Sequence, residues 1–372
     1  MANATAGRRH IPVDQVGLDL FFDTMPDLGA SDLHMKAGRP MMMRISGVLR
    51  PLDMPKITAE QSETLCCSIL TESQKEQLEA TGSVDLAYST DRGCRVRVNI
   101  FYQRGTLSMA ARYVNATVPG FDDLMLPSRP LKRLCSSESG LIIVAGATGA
   151  GKSTSLAAMI DHINHTRKCH ILTLEDPIEY LFEDDLAIIN QREIGIDADS
   201  FESGLKYALR EDPDVILMGE MRDAETVTTA LSAAETGHLV FGTLHANTAP
   251  QTIDRLLDLF PGDKQPQVRK GLVFNLRAVI CQRLLRCTKK NRQRVPALEI
   301  MITTAAVRKL ISEAKDEEIY QVMRDSPSEG MVDFTHSIYQ LVQNNLVTRR
   351  EGVARAPNPD ALQSLLDGLE II

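Results

Sequence analysis

The chain has 372 residues, of which 43% are hydrophobic and 24% charged, the balance of a globular protein with two or three domains. Forty-one basic residues against 49 acidic ones leave a net charge of −8, which argues against binding that rests mainly on nucleic-acid phosphates. No apolar run approaches the roughly 20 residues of a membrane-spanning helix, and MANATAGRRHIPVDQ at the N-terminus lacks the apolar stretch of a secretory signal. Seven cysteines, an odd number, fit thiols in a reducing compartment better than a disulfide framework.

Residues 1–14 are small and polar and are expected to fray. Residues 15–115 read as a mixed α and β domain. Thr58–Leu70 and Ser73–Ala80 have the pattern of helices opened by a capping hydroxyl. Val84–Ser89, Arg95–Tyr102 and Thr106–Val114 have the pattern of strands, and Asp91-Arg92-Gly93 and Arg104-Gly105 supply the turns of a meander. The Met41-Met42-Met43 run reads as core or interface packing. Pro119-Gly120 and Pro127 mark residues 116–129 as a linker. In residues 130–372 the short apolar runs Leu141–Ala145, His170–Leu174, Val215–Gly219 and Leu239–Thr243 alternate with helical patterns. That alternation predicts an α/β domain with a largely parallel sheet. From Pro250 onward the pattern is mainly helical, around a basic loop at Cys287–Arg294.

Gly146-Ala147-Thr148-Gly149-Ala150-Gly151-Lys152-Ser153 matches G-x-x-x-x-G-K-[ST] in full, and Thr154 continues it into a helical run, Ser155–His165. Small residues let backbone N–H groups face phosphates, and the helix N-terminus adds a favourable partial charge. Lys152 can reach the β- and γ-phosphates of ATP, and Ser153 can hold Mg²⁺. The alternative, a glycine-rich turn that binds nothing, does not explain a full motif placed between an apolar strand and a helix.

In a parallel α/β sheet the ligand lies beyond the carboxyl ends of the strands. The run His170–Leu174 delivers Glu175, Asp176 and Glu179 there, Val215–Met218 delivers Glu220, Arg222 and Asp223, and Leu239–Thr243 delivers His245. Asp212 and Asp214 precede their strand, so about 15 Å of extended chain separates them from the phosphate edge. Glu220 is therefore the acid expected to polarise the attacking water and help organise Mg²⁺. Glu175 is a second water- or metal-positioning acid, unless it serves the ion pairs of its acidic cluster. His245 is a candidate γ-phosphate sensor, against the plain alternative of a structural histidine. Among these segments Lys152 is the expected phosphate cation. The N-terminal meander offers Arg95, Arg97, Arg104 and Arg112, of which Arg97 and Arg112 are the preferred arginine fingers; a solvated basic strand face is the alternative. Arg283, Arg286, Lys289, Lys290, Arg292 and Arg294 lack interleaved aromatics and read as a solvated loop or an acidic partner's contact.

Ile171–Tyr180, ILTLEDPIEY, resembles the Asp box of secretion ATPases; Arg210–Asp223, REDPDVILMGEMRD, resembles their Walker B; and Thr243–Thr248, TLHANT, resembles their His box. Ser31-Asp-Leu-His34 and Arg95–Asn99 are similar to their N-terminal PAS-like domain. The chain thus resembles the PilT/PilU-type ATPases, twitching-motility motors of the type II/IV secretion ATPase family. That resemblance implies a PAS-like α+β domain followed by a RecA-like P-loop domain with a helical C-terminal part. It implies an ATP-hydrolysing homohexamer with Mg²⁺, driving pilus retraction at the cytoplasmic face of the inner membrane. An inner-membrane pilus platform protein is the implied partner, a paralogous pilus ATPase a second one, and no nucleic acid is expected. The resemblance also implies that N-terminal arginines reach nucleotide on a neighbouring protomer. No CxxC occurs, which excludes the spaced zinc site of the assembly ATPases and favours a retraction motor. Ala306–Glu313, AVRKLISE, keeps five positions of the retraction helix A-I-R-N-L-I-R-E and changes three, so an accessory PilU-like motor stays open. A DNA-translocating ATPase of related core and a non-hydrolysing nucleotide-bound scaffold are the remaining alternatives.

Overall fold

The computed structural model describes residues 17–114, 117–290 and 292–368; the fraying expected at 1–14 lies outside the described residues. Contacts along the chain divide it into two units, Met1–Asn115 and Ala116–Ile372.

In the first unit, the described residues form strands β1 (Ala30–Lys36), β2 (Met42–Ile45), β3 (Val48–Pro51), β4 (Ser83–Ser89), β5 (Arg95–Gln103) and β6 (Thr106–Tyr113). They make one antiparallel sheet in the order β3-β2-β1-β6-β5-β4. The expected meander is β4-β5-β6, and β1 extends it by pairing with β6. Thr58 caps the helix Ala59–Ser68 through a capping box with Gln61, and Thr71, rather than Ser73, caps Glu72–Thr81 through Gln74. Val96, Val98 and Ile100 turn to the core, where they meet Phe22 and Met25 of the helix Leu18–Asp27. Met41 and Met43 are buried in the same core. The domain is therefore α+β, with helices on one face and polar residues on the other.

On that polar face Arg44, Asp32, Arg112 and Arg97 are successive cross-strand neighbours. Asp32 accepts from Arg112 Nε at 2.9 Å and faces Arg44 Nε at 3.3 Å. Burial works to raise the Asp32 carboxyl, but the Ser31 hydroxyl and the two guanidiniums outweigh it and hold it below its usual range.

In the second unit the described strands are β7 (Gly140–Ala145), β8 (His170–Glu175), β9 (Ile188–Glu193), β10 (Val215–Met218), β11 (Leu239–Leu244), β12 (Leu276–Arg286) and β13 (Arg294–Ile302). Their order is β13-β12-β7-β11-β10-β8-β9, parallel throughout except for the β12–β13 hairpin. Every residue of β7, β10 and β11 is buried, as a sheet covered on both faces requires. This is the RecA-like core, followed by the short helices of the C-terminal part.

Two expectations need correction. Leu276–Arg286 and Arg294–Ile302 are the two arms of a long hairpin rather than helix, because they close the sheet against β7 and bury their apolar side chains on both faces. The described residues of the basic loop before Arg294 lie between these arms, and Arg294 opens β13. Within the expected linker, Phe121–Leu124 is helical and Ser128 opens a second helix; Phe121, Leu126 and Leu131 pack onto the sheet. No helix among the described residues is long and apolar enough to cross a membrane.

Candidate active site

The loop between β7 and the helix Lys152–Asn164 is shaped by its glycines. Gly146 and Gly151 have φ of 155° and 88°; a Cβ on either would come within 2.7 Å of the Gln282 carbonyl or 2.8 Å of Gln282 Nε2. The loop therefore lies directly against β12. Gln282 also locks it from the side: its Oε1 accepts from the Ser155 hydroxyl at 2.7 Å, and its Nε2 donates to the Ala150 carbonyl at 2.8 Å. Lys152 Nζ folds over the loop and donates to the carbonyls of Gly146 at 2.8 Å and Ala147 at 3.3 Å. Burial holds its ammonium below the usual lysine range, and Glu220 and Glu179 pull it back up.

The strand ends deliver the rest. A cleft of about 530 Å³ runs beyond them, lined by the loop residues Thr148–Thr154 and by Glu175, Glu220 and His245. The structure thus brings these expected site residues to one place. Asp214 sits at the opposite end of β10, where it accepts from the His170 backbone N–H at 2.8 Å.

Glu220 is held at both oxygens. Arg222 Nη2 lies 2.7 Å from Oε2 and His245 Nε2 lies 3.2 Å from Oε1. Arg222 also faces Asp176 at 3.9 Å, so one guanidinium spans the ends of β8 and β10. Glu175 accepts from the Thr173 hydroxyl at 2.7 Å and from Gln191 Nε2 at 3.1 Å. Burial nevertheless pushes its carboxyl above the ordinary glutamate value, and Glu179 adds to the rise. Tyr180 donates to Thr154 Oγ1 at 3.0 Å, tying the segment after β8 to the phosphate-loop helix.

Ser153, Glu175 and Glu220 together offer hydroxyl and carboxylate oxygens, the hard donors that suit Mg²⁺. The loop glycines, the lysine and the helix N-terminus suit a nucleotide triphosphate. Residue types and cradle fit both groups.

Three features escape sequence reasoning. Gln282 lies in the hairpin, where a helix was expected. Arg222 was visible at its strand end, but its bond to Glu220 was not. Arg294, at the start of β13, lines the cleft too, so Lys152 is not the site's sole cation in this unit. Only the hairpin's path brings Arg294 there. Arg97 and Arg112 belong to the first unit, where they are cross-strand partners and Arg112 is engaged by Asp32.

Comparison with known proteins agrees with this architecture. The type II/IV secretion system protein family matches residues 27–352. The type IV pilus retraction ATPase PilT of Pseudomonas aeruginosa is 41% identical over 332 residues, 89% of this chain and 96% of its own. The type IV pilus ATPase PilU of the same organism is 37% identical, over 92% of this chain and 89% of its own. A crystal structure of the pilus retraction motor PilT with bound ADP superposes with a TM-score of 0.86 at 44% identity, over 94% of this chain and 99% of that one. The chain belongs to the type II/IV secretion system protein family.

Proposed function

We propose that this chain is an ATP-hydrolysing motor of type IV pilus retraction, working as a homohexamer at the cytoplasmic face of the inner membrane. The observation that carries the reading is the likeness to the PilT retraction ATPase along nearly the whole of both chains. The platform protein at the pilus base is the proposed partner that receives the force.

The fuel step is attack of water on the γ-phosphorus of ATP, which breaks the bond to the β–γ bridging oxygen and releases ADP and phosphate. Loop amides and Lys152 bind and orient the triphosphate. Glu220 receives the proton of the attacking water, and Arg222 and His245 fix the carboxylate's direction through one oxygen each. His245, placed on the loop after β11, also senses the γ-phosphate. Glu175, partly buried and hydrogen-bonded, orients water or metal from the end of β8. Ser153, with Glu220 and Glu175, would hold Mg²⁺, which when bound supplies neutralising charge to the phosphate oxygens. Arg112, or Arg97 beside it, completes the site on a neighbouring protomer.

A second reading, an accessory PilU-like motor, rests on the three altered positions in Ala306–Glu313, although the identity to PilU, 37%, is below the 41% to PilT. Two measurements decide. Phosphate release from the purified chain tests the hydrolysis. A deletion strain with abundant pili that do not retract supports the main motor; retraction that persists but weakens supports the accessory one; a strain without pili refutes both.

A further inference from the structure

A buried carboxylate lies on β13, away from the nucleotide cleft. Glu299 is only 1% exposed. It accepts from the backbone N–H of Ala249 at 2.7 Å, and the backbone N–H of Phe334 helps to hold its charge. Those two amides are the first of the helices Ala249–Asp258 and Phe334–Gln343. Each helix has its own side-chain cap, Thr248 bonding the amide of Gln251 and Asp333 that of His336. The caps leave the first amide of each helix without an intrahelical acceptor. The carboxylate stands at both helix N-termini, which offset part of the cost of burying its charge.

Its surroundings offer no simpler reason for a charge. Across the hairpin it faces Cys281, whose sulfur lies 3.7 Å from Thr252 Oγ1. Asp333 and Tyr320 approach from the C-terminal helices. Arg283 acts on it from β12, but its guanidinium lies over the Phe334 ring at 4.7 Å and donates to the Arg355 carbonyl at 3.1 Å. Among the described residues no ion pair to Glu299 forms. A glutamine would satisfy the space without the desolvation cost of burying a carboxylate.

The chain path gives the charge a use. His245, bound to Glu220, stands four residues before Ala249, so Glu299 pins the far end of the loop that carries it. The same side chain reaches the start of Phe334–Gln343, the entry to the C-terminal helices. We propose that Glu299 is a positioning residue: it sets the His245 loop against Glu220 and joins that loop to the C-terminal helical part through two helix N-termini. This inference rests on the reading of the cleft as a hydrolytic site.

The test uses full-length Glu299→Gln and Glu299→Asp, with ATP turnover and amide hydrogen exchange measured on each. In Glu299→Gln, one amide loses its acceptor to the side-chain NH₂. Exchange should accelerate at both 245–252 and 333–338. The kcat should fall roughly 10- to 10²-fold, the scale of a misplaced catalytic group, while KM stays within about twofold. Glu299→Asp keeps the charge with a shorter reach and should recover part of kcat; should the glutamine variant not fold, the aspartate variant must still show faster exchange in both segments. Acceleration in one segment alone overturns the joint hold. Lower thermal stability with unchanged kcat overturns the positioning role. If the wild-type protein hydrolyses no ATP, the hydrolytic reading falls while the exchange measurement still decides whether Glu299 holds both helices.

Discussion

Gln282 provides the sharpest check on how the phosphate loop is held. Replacing it by Leu keeps much of its volume and removes both polar contacts. The Ser155 hydroxyl loses its acceptor and the Ala150 carbonyl its donor, and both residues are buried, at 5% and 7% exposure. A buried group left unpaired costs about 1–3 kcal/mol. Ser155 can turn its hydroxyl toward the carbonyl one helical turn back, so its share falls at the low end. The sum is about 2–4 kcal/mol, and the loop bears most of it, because both bonds end on the loop or its first helical turn. If about 2 kcal/mol falls on the nucleotide-competent loop, apparent affinity weakens roughly 30-fold, since the competent fraction scales the dissociation constant. Titration with a fluorescent ATP analogue and a thermal melt read the two effects together. Ser155→Ala removes one of the two bonds and should show a smaller loss in both. Wild-type affinity and wild-type melting in Gln282→Leu would refute the idea that β12 holds the loop.

Lys152→Ala should weaken ATP binding itself, because the ammonium neutralises β- and γ-phosphate charge in ground and transition states alike; the same titration reads it. Glu220→Gln keeps the side chain's size and loses its proton affinity, so binding should survive while phosphate release falls roughly 10²-fold or more. Mixing Glu220→Gln protein with Arg112→Ala protein, each inactive alone, should restore some phosphate release if the finger is donated between protomers. Failure with Arg112→Ala moves the expectation to Arg97→Ala, and failure of both mixtures rejects a shared site. Glu299 contributes a pH dependence of stability. Burial raises its carboxyl from 4.5 to about 7 in the fold, so the native state binds more protons than the unfolded chain between those values. Its contribution is therefore fully present below about 4.5 and is lost as pH rises through about 7, a change on the order of 3 kcal/mol. Denaturation across that window should show a falling stability that Glu299→Gln lacks.

The nucleotide chemistry was legible in the amino-acid sequence, because it depends on local pattern. A phosphate loop needs small residues, a lysine and a hydroxyl within eight positions, and a buried parallel strand shows itself as a short apolar run. The assignment of Glu220 over Asp214 followed from strand polarity alone, and the structure places the two at opposite ends of β10. What the tertiary structure decided is how those groups are held. The Leu276–Arg286 run mixes apolar with charged residues, and a run buried on both faces has no period-2 signature to distinguish strand from helix. Strands β1 to β3 are short and carry polar residues such as Asp32 and Arg44, whose places are set by pairing partners up to 80 residues away. Gln282 lies 127 residues from Ser155, and Glu299 lies 50 from Ala249. No local window contains both partners of such a contact. The hydrogen bonds that hold the phosphate loop and the His245 loop exist only because closing the sheet brings β12 beside β7 and β13 beside β12.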